Sequence, residues 1–310
     1  MRTLLAALFS TTLLTTCTIP QRSFTTGDSG DPDAFLAVAN ILTPVSIEVF
    51  AADATGDTPP LRVIAGASTT FVGLHGVTIA SDEIIVTDQS APAIDVFPVA
   101  AAGNLAPTRR IAGAATTLAL PTGVTVSGTE LYVGLQTGSI LVFPVNATGD
   151  VAPTRTITGL GQPAFFAISN AEIYVADFSG SRILVFPAST SGPAVPTRII
   201  RGSATGLSGP AGLAVQNGEI FVSNHTSNEI RVFPQAADGY VPPLRVIGGA
   251  NTQLNGADQI AIFAGEIYVA NEGNSTVAVF PTGASGNVAP TRQIVGPSTQ
   301  LSGAAGAFVF

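Results

Sequence analysis

The stretch Gly212-Leu-Ala-Val-Gln-Asn-Gly-Glu-Ile-Phe-Val-Ser-Asn-His-Thr-Ser-Asn-Glu-Ile-Arg-Val-Phe233 decides the fold. It holds three short runs rich in β-branched and aromatic residues: 212–215, 219–223 and 229–233. Asn217-Gly218 separates the first two, and this dipeptide favours a tight hairpin because both turn positions need positive φ. A polar turn over 224–228 separates the second and third. After a loop rich in Pro, Ala and Gly comes a fourth run, Leu244-Arg-Val-Ile247. The segment therefore predicts four short antiparallel strands.

The same unit recurs. Phe closes the third run at Phe50, Phe97, Phe143, Phe186, Phe233 and Phe280. Twelve residues after each comes an Arg: Arg62, Arg109, Arg155, Arg198, Arg245 and Arg292. Four residues further stands a Gly: Gly66, Gly113, Gly159, Gly202, Gly249 and Gly296. Six copies of 43–47 residues with four strands each predict an all-β, six-bladed propeller with four-stranded blades. The phase of the copies also predicts how the ring closes. The N-terminal end carries strands two to four only (35–39, 46–50, 61–64), and the C-terminal end carries a lone strand one, 306–310. Together they complete one composite blade, which removes the open sheet edges of the ring.

The pattern Gly-x-Ala-Val, then Glu-Ile-Tyr-Val-Ala-(Asp/Asn), then Ile-x-Val-Phe resembles the NHL repeat; matching segments are 212–233, 266–280 and 172–186. The resemblance spans residues 34–310 and implies a six-bladed propeller. It leaves the activity open, since propellers of this kind include binding modules, amidating lyases, and calcium-dependent lactonases and phosphotriesterases.

Composition narrows the classes. Of 310 residues, 46% are hydrophobic and only 10% charged, which excludes a mostly disordered chain. A net charge of −8 argues against nucleic acid. The single Cys excludes a disulfide framework and a Cys-based zinc site. That Cys17 ends Leu14-Thr-Thr-Cys17, after an apolar run of eleven residues too short to span a bilayer. The segment resembles a bacterial lipobox, with Thr16 in place of the usual small residue. Residues 1–17 are thus expected to be a lipoprotein signal with Cys17 acylated, and 18–33 a flexible linker. The 34–310 propeller would be exported and held to the bilayer at the cell envelope by lipid.

Aligning the copies selects the channel mouth, where propellers usually work. Just before the core of strand one stand His75, Thr122, Ala164, Ala211, Asp258 and Ala305; the next position holds Gly76, Gly123, Phe165, Gly212, Gln259 and Gly306. Strand two ends in Asn40, Asp88, Leu135, Asp177, Asn224 and Asn271. Asx residues at strand ends commonly bond their own turn, which is the preferred reading here. The alternative is a ring of oxygen ligands for Ca²⁺. His75 and Asp258 form a candidate acid–base pair only if two blades' separation around the ring lets them meet. His225, in a turn, carries no separate role. The six repeated Arg are read as blade-supporting. Phe165-Phe166 follow a shortened loop and are expected to fill the pore. Because no catalytic groups concentrate in one place, the sequence is read as a monomeric, non-enzymatic binding or scaffold module for protein, peptide or glycan, with no cofactor. The alternative is a calcium-dependent hydrolase resembling six-bladed propeller lactonases, centred on Asp258, His75, Asp177, Asn224 and Asn271. A lyase is disfavoured, since two His and one Cys leave little to hold a metal.

Overall fold

Alternating short strands and Gly-containing turns fold into six antiparallel sheets arranged as the blades of a propeller. The computed structural model describes residues 34–310; the expected signal 1–17, Cys17 and the linker 18–33 lie outside the described residues. With the composite blade counted as blade one, its inner strand is Ala304–Val309, and those of blades two to six are Leu74–Ala80, Pro121–Ser127, Pro163–Ser169, Pro210–Gln216 and Ala257–Phe263. Each touches the next, and the last touches the first, so the ring is closed.

Closure follows the composite scheme. Ala304–Val309 pairs antiparallel with Phe35–Asn40, which leads outward to Ser46–Ala51 and Arg62–Ile64. Apolar side chains on both faces of the blades make the core, as expected where every sheet packs between two others. The six repeated Phe are at most 1% exposed. Burial of each contributes about 1.5–3 kcal/mol.

The outer rim explains the other two repeated residues. In five blades the Arg of strand four grips the Glu that opens strand two: Arg109–Glu83, Arg155–Glu130, Arg198–Glu172, Arg245–Glu219 and Arg292–Glu266. The same guanidinium reaches loop carbonyls of the following blade, as Arg155 does to Ala188 and Thr190. In the composite blade Phe35 stands at the Glu position, and Arg62 lies over its ring, 5.2 Å from the centroid. The Gly after each Arg opens a corner that the next blade fills. At Gly113, φ is +125° and a Cβ would lie 2.4 Å from the Asp150 carboxyl carbon, whose Oδ1 accepts from the Ala115 amide at 2.7 Å. Parallel bridges repeat this blade-to-blade contact around the rim; Gly56 to Ile294 carries it across the two ends of the described chain. Blade three differs: its strand four, Arg155–Thr158, is not followed by the short 3-10 turn seen after the other fourth strands, matching its shorter loop.

Candidate functional site

Each inner strand carries a β-bulge near its start. In blade two, Leu74 pairs with Asp88 and Val77 with Val86, so His75 and Gly76 together oppose one residue, Thr87. The same shift brackets 122–123, 164–165, 211–212 and 258–259. These bulge pairs are the aligned mouth positions of the sequence, and bulges re-aim side chains.

His75 and Asp258 meet. His75 Nε2 lies 3.9 Å from Asp258 Oδ2, although two blade steps separate their strands around the ring. Phe165, from the inner strand that follows the shortened loop, stacks on the imidazole with centroids 5.3 Å apart and planes 24° apart. Phe165 packs with Ala164, Ala211 and Phe178 as an apolar wall. Phe178 in turn meets the His225 ring edge-on at 5.8 Å. His225 Nε2 lies 3.5 Å from Glu272 Oε2. The two His of the whole chain, 150 residues apart in sequence, therefore converge on one mouth, each beside a carboxylate.

Burial sets the electrostatics of this cluster. It lowers the His75 imidazole to about 4, partly offset by the charge of Glu272, and raises the Asp258 carboxyl to about 8. Both groups of the inner pair are thus neutral near pH 7. The outer pair behaves oppositely: the Glu272 carboxylate holds His225 above its ordinary value, and His225 holds Glu272 below its own. His75 Nδ1 is buried without a hydrogen-bond partner, and no donor reaches the Asp258 carboxylate among the described residues.

The other mouth positions are engaged within the propeller. Thr122 Oγ1 donates to the Pro163 carbonyl of the neighbouring blade at 2.8 Å. Gln259 crosses the channel: its Nε2 donates to the Val77 carbonyl, and its Oε1 accepts from the Val77 and Ala307 amides. The Asx side chains at the ends of the second strands are all fully buried and tie down turns. Asp88 accepts from the Val72, Gly73 and Ala91 amides. Asp177 accepts from the Gln162 and Gly180 amides and pairs with Arg182. Asn224 holds Ser208 and Gly206, Asn271 holds Asn255 and Thr276, and Asn40 donates to Ser46, Glu48 and the Gln300 carbonyl. Leu135 fills the sixth place as an apolar residue. The oxygens of Asp88, Asp177, Asn224 and Asn271 thus each accept from backbone amides of the turns around them. No group of three or more His, Cys, Asp or Glu is arranged to hold a metal among the described residues.

Below the mouth, Phe165 and Gln259 line a cavity of about 230 Å³, with Val124, Phe166, Ile168, Leu213, Ile260 and Phe308 on its walls. The aromatic pair 165–166, expected to fill the pore, is 3% and 6% exposed and stands on the wall of this cavity.

Three contributors to the site escape a copy-by-copy alignment. Glu272 and Phe178 lie one residue beyond the Asx position, where the copies diverge, and His225 lies at that same offset in the fifth copy. The offset itself was the available signal, since Phe178, His225 and Glu272 are its successive occupants in blades four, five and six. Comparison with protein-family models and with curated proteins finds no match.

Proposed function

We propose that this protein is an exported envelope lipoprotein, anchored through an acylated Cys17, whose NHL-like propeller acts as a non-enzymatic binding module at the histidine-bearing channel mouth. Its ligand would be a protein, peptide or glycan. The observation that carries this reading is the convergence of His75, His225, Asp258 and Glu272 with two Phe walls at one end of a closed, internally bonded ring. A ring that brings Asp258 and His75, which have no hydrogen-bond partner for their side chains among the described residues, together beside apolar walls is the arrangement of a ligand pocket. The calcium-dependent hydrolase is the weaker reading, because the Asx oxygens it would use are spent on turn backbone.

The test uses the full chain in detergent, applied to arrays of peptides and glycans, beside His75→Ala and Asp258→Asn. Specific retention by the wild type that both variants lose, with unchanged far-UV circular dichroism, is the expected result. Retention by the variants at wild-type strength overturns the mouth as the site. Calcium-dependent turnover of lactones or phosphotriesters overturns the non-enzymatic reading. The anchor has its own check: a palmitate analogue fed to expressing bacterial cells should label the wild type and not Cys17→Ser.

A further inference from the structure

Five carboxylate side chains are buried among the described residues: Glu48, Asp88, Asp95, Asp177 and Asp258. Four have donors. Asp88 takes three backbone amides, and Asp177 takes two amides and Arg182. Asp95 takes Arg110 through both oxygens at 3.0 Å, and Glu48 takes Asn40 and Ser46. Asp258 has none, with its side chain only 6% exposed. His75 Nε2, the ionisable neighbour it meets among the described residues, stands at 3.9 Å, beyond hydrogen-bond reach. The Asp258 oxygens keep contact with water at the mouth and meet no protein donor among the described residues, while the neighbouring His75 Nδ1 is buried with no partner at all, a rare condition in a native protein.

We propose that the channel mouth binds a primary ammonium group, of the kind a lysine side chain carries, on the Asp258 carboxylate. This rests on the reading of the mouth as the binding site. Three features point to the ligand's chemistry. First, the charged groups facing Asp258 are Glu272, which is anionic, and His225, which Glu272 already pairs; His75 is held neutral by burial. The chain has no Lys, and among the described residues no Arg contacts the pair, so a positive partner for an ionised Asp258 would come from a ligand. Second, the neutral His75 ring keeps one lone pair, and an ammonium carries three N–H donors, enough for an Asp258 oxygen and an imidazole nitrogen together. Third, access is narrow. A compact ammonium on an alkyl stem reaches a side chain 6% exposed, whereas a planar guanidinium or an amino sugar ring is wider. Phe165 and Phe178 offer the stem apolar contact, and their ring faces favour a cation nearby.

Protons balance simply. Near pH 7 the empty site holds Asp258 as the neutral acid. Binding pairs the incoming ammonium with the carboxylate, and the carboxyl proton leaves to solvent.

The experiment titrates the full chain in detergent with n-butylammonium chloride at pH 7. Sodium chloride and n-butanol serve as controls, and glucosamine is a second amine. Imidazole NMR follows the two His, distinguished by a His225→Gln variant, and calorimetry in phosphate and in HEPES counts protons. The expected result is a saturable shift of the His75 signal by butylammonium alone, with close to one proton released per site. Asp258→Asn should weaken binding at least tenfold. Equal binding of butanol, equal binding by Asp258→Asn, or a silent His75 overturns the ammonium. Tighter binding of glucosamine overturns the slim-chain assignment. If butylammonium fails while an array ligand still moves His75, the mouth remains the binding site; if no bound ligand moves His75, both readings fall.

Discussion

Gln259 and Val77 are 182 residues apart, yet the Gln259 amide donates to the Val77 carbonyl across the channel at 2.9 Å. The same side chain accepts from the Val77 and Ala307 amides at 3.3 and 3.2 Å. One residue thus ties the inner strands of three blades, and one of those strands is the C-terminal Ala304–Val309. These amides sit on strand edges that face the channel, where no neighbouring strand pairs them.

Gln259→Leu keeps the volume and removes all three bonds. Losing them and leaving buried backbone groups unpaired should cost about 3 kcal/mol. Urea unfolding checks this: the midpoint should fall with the slope unchanged. A loss below about 1 kcal/mol would mean that the crossing side chain is not a brace.

Ring closure gives a second prediction. Removing residues 304–310 leaves the edge of Phe35–Asn40 unpaired and opens the buried Leu36 and Val38 to water. Open apolar edges recruit other chains. The truncated chain should oligomerise on size exclusion or lose its cooperative melt. A subtler variant acts at the same seam: a Cβ at Gly306 would stand 2.7 Å from the His75 carbonyl, so Gly306→Val should destabilise closure without removing the strand. A truncated chain that melts like the full one would sink the composite blade as a closure device.

The fold was legible because its signals are periodic. Phe, Arg and Gly recur in phase, so strand number, blade number and the split blade follow from counting. The Asx positions were legible as turn formers for the same reason. The Glu partners of the repeated Arg stand in plain view at the start of strand two, but their pairing spans the width of a blade and shows only once the sheet is folded. The site was less legible because it lies where the copies differ. Whether His75 reaches Asp258 depends on the channel radius and on two bulges that tilt both side chains inward, and residue spacing carries neither. The crossing of Gln259 was hidden likewise: its position aligns with glycines in four other blades, which suggested a mouth residue and not a strut.

The composite blade also sets a pH dependence. Glu48 is 1% exposed, and burial raises its carboxyl to about 8 against the opposing hydrogen bonds of Ser46 and Asn40. The unfolded chain releases this proton near its ordinary value of 4.5. Between those values the native state holds a proton that the unfolded state lacks, so stability falls as pH rises through the window. The contribution is fully present below pH 4.5 and gone above pH 8, a difference on the order of 5 kcal/mol from a shift of this size. Asp258 and Asp95, raised by burial to about 8 and about 6, act in the same direction. His75 acts oppositely at the acid end: its folded value near 4 lies below the ordinary 6.5, so stability is lost as pH falls between them. Glu48→Gln isolates the one group, since Gln still offers an oxygen to Ser46 and Asn40. Urea unfolding at pH 5, 6.5 and 8 should show the wild type losing stability with rising pH, and the variant losing several kcal/mol less over the same range. Parallel profiles for the two proteins would mean that Glu48 is already ionised inside the blade.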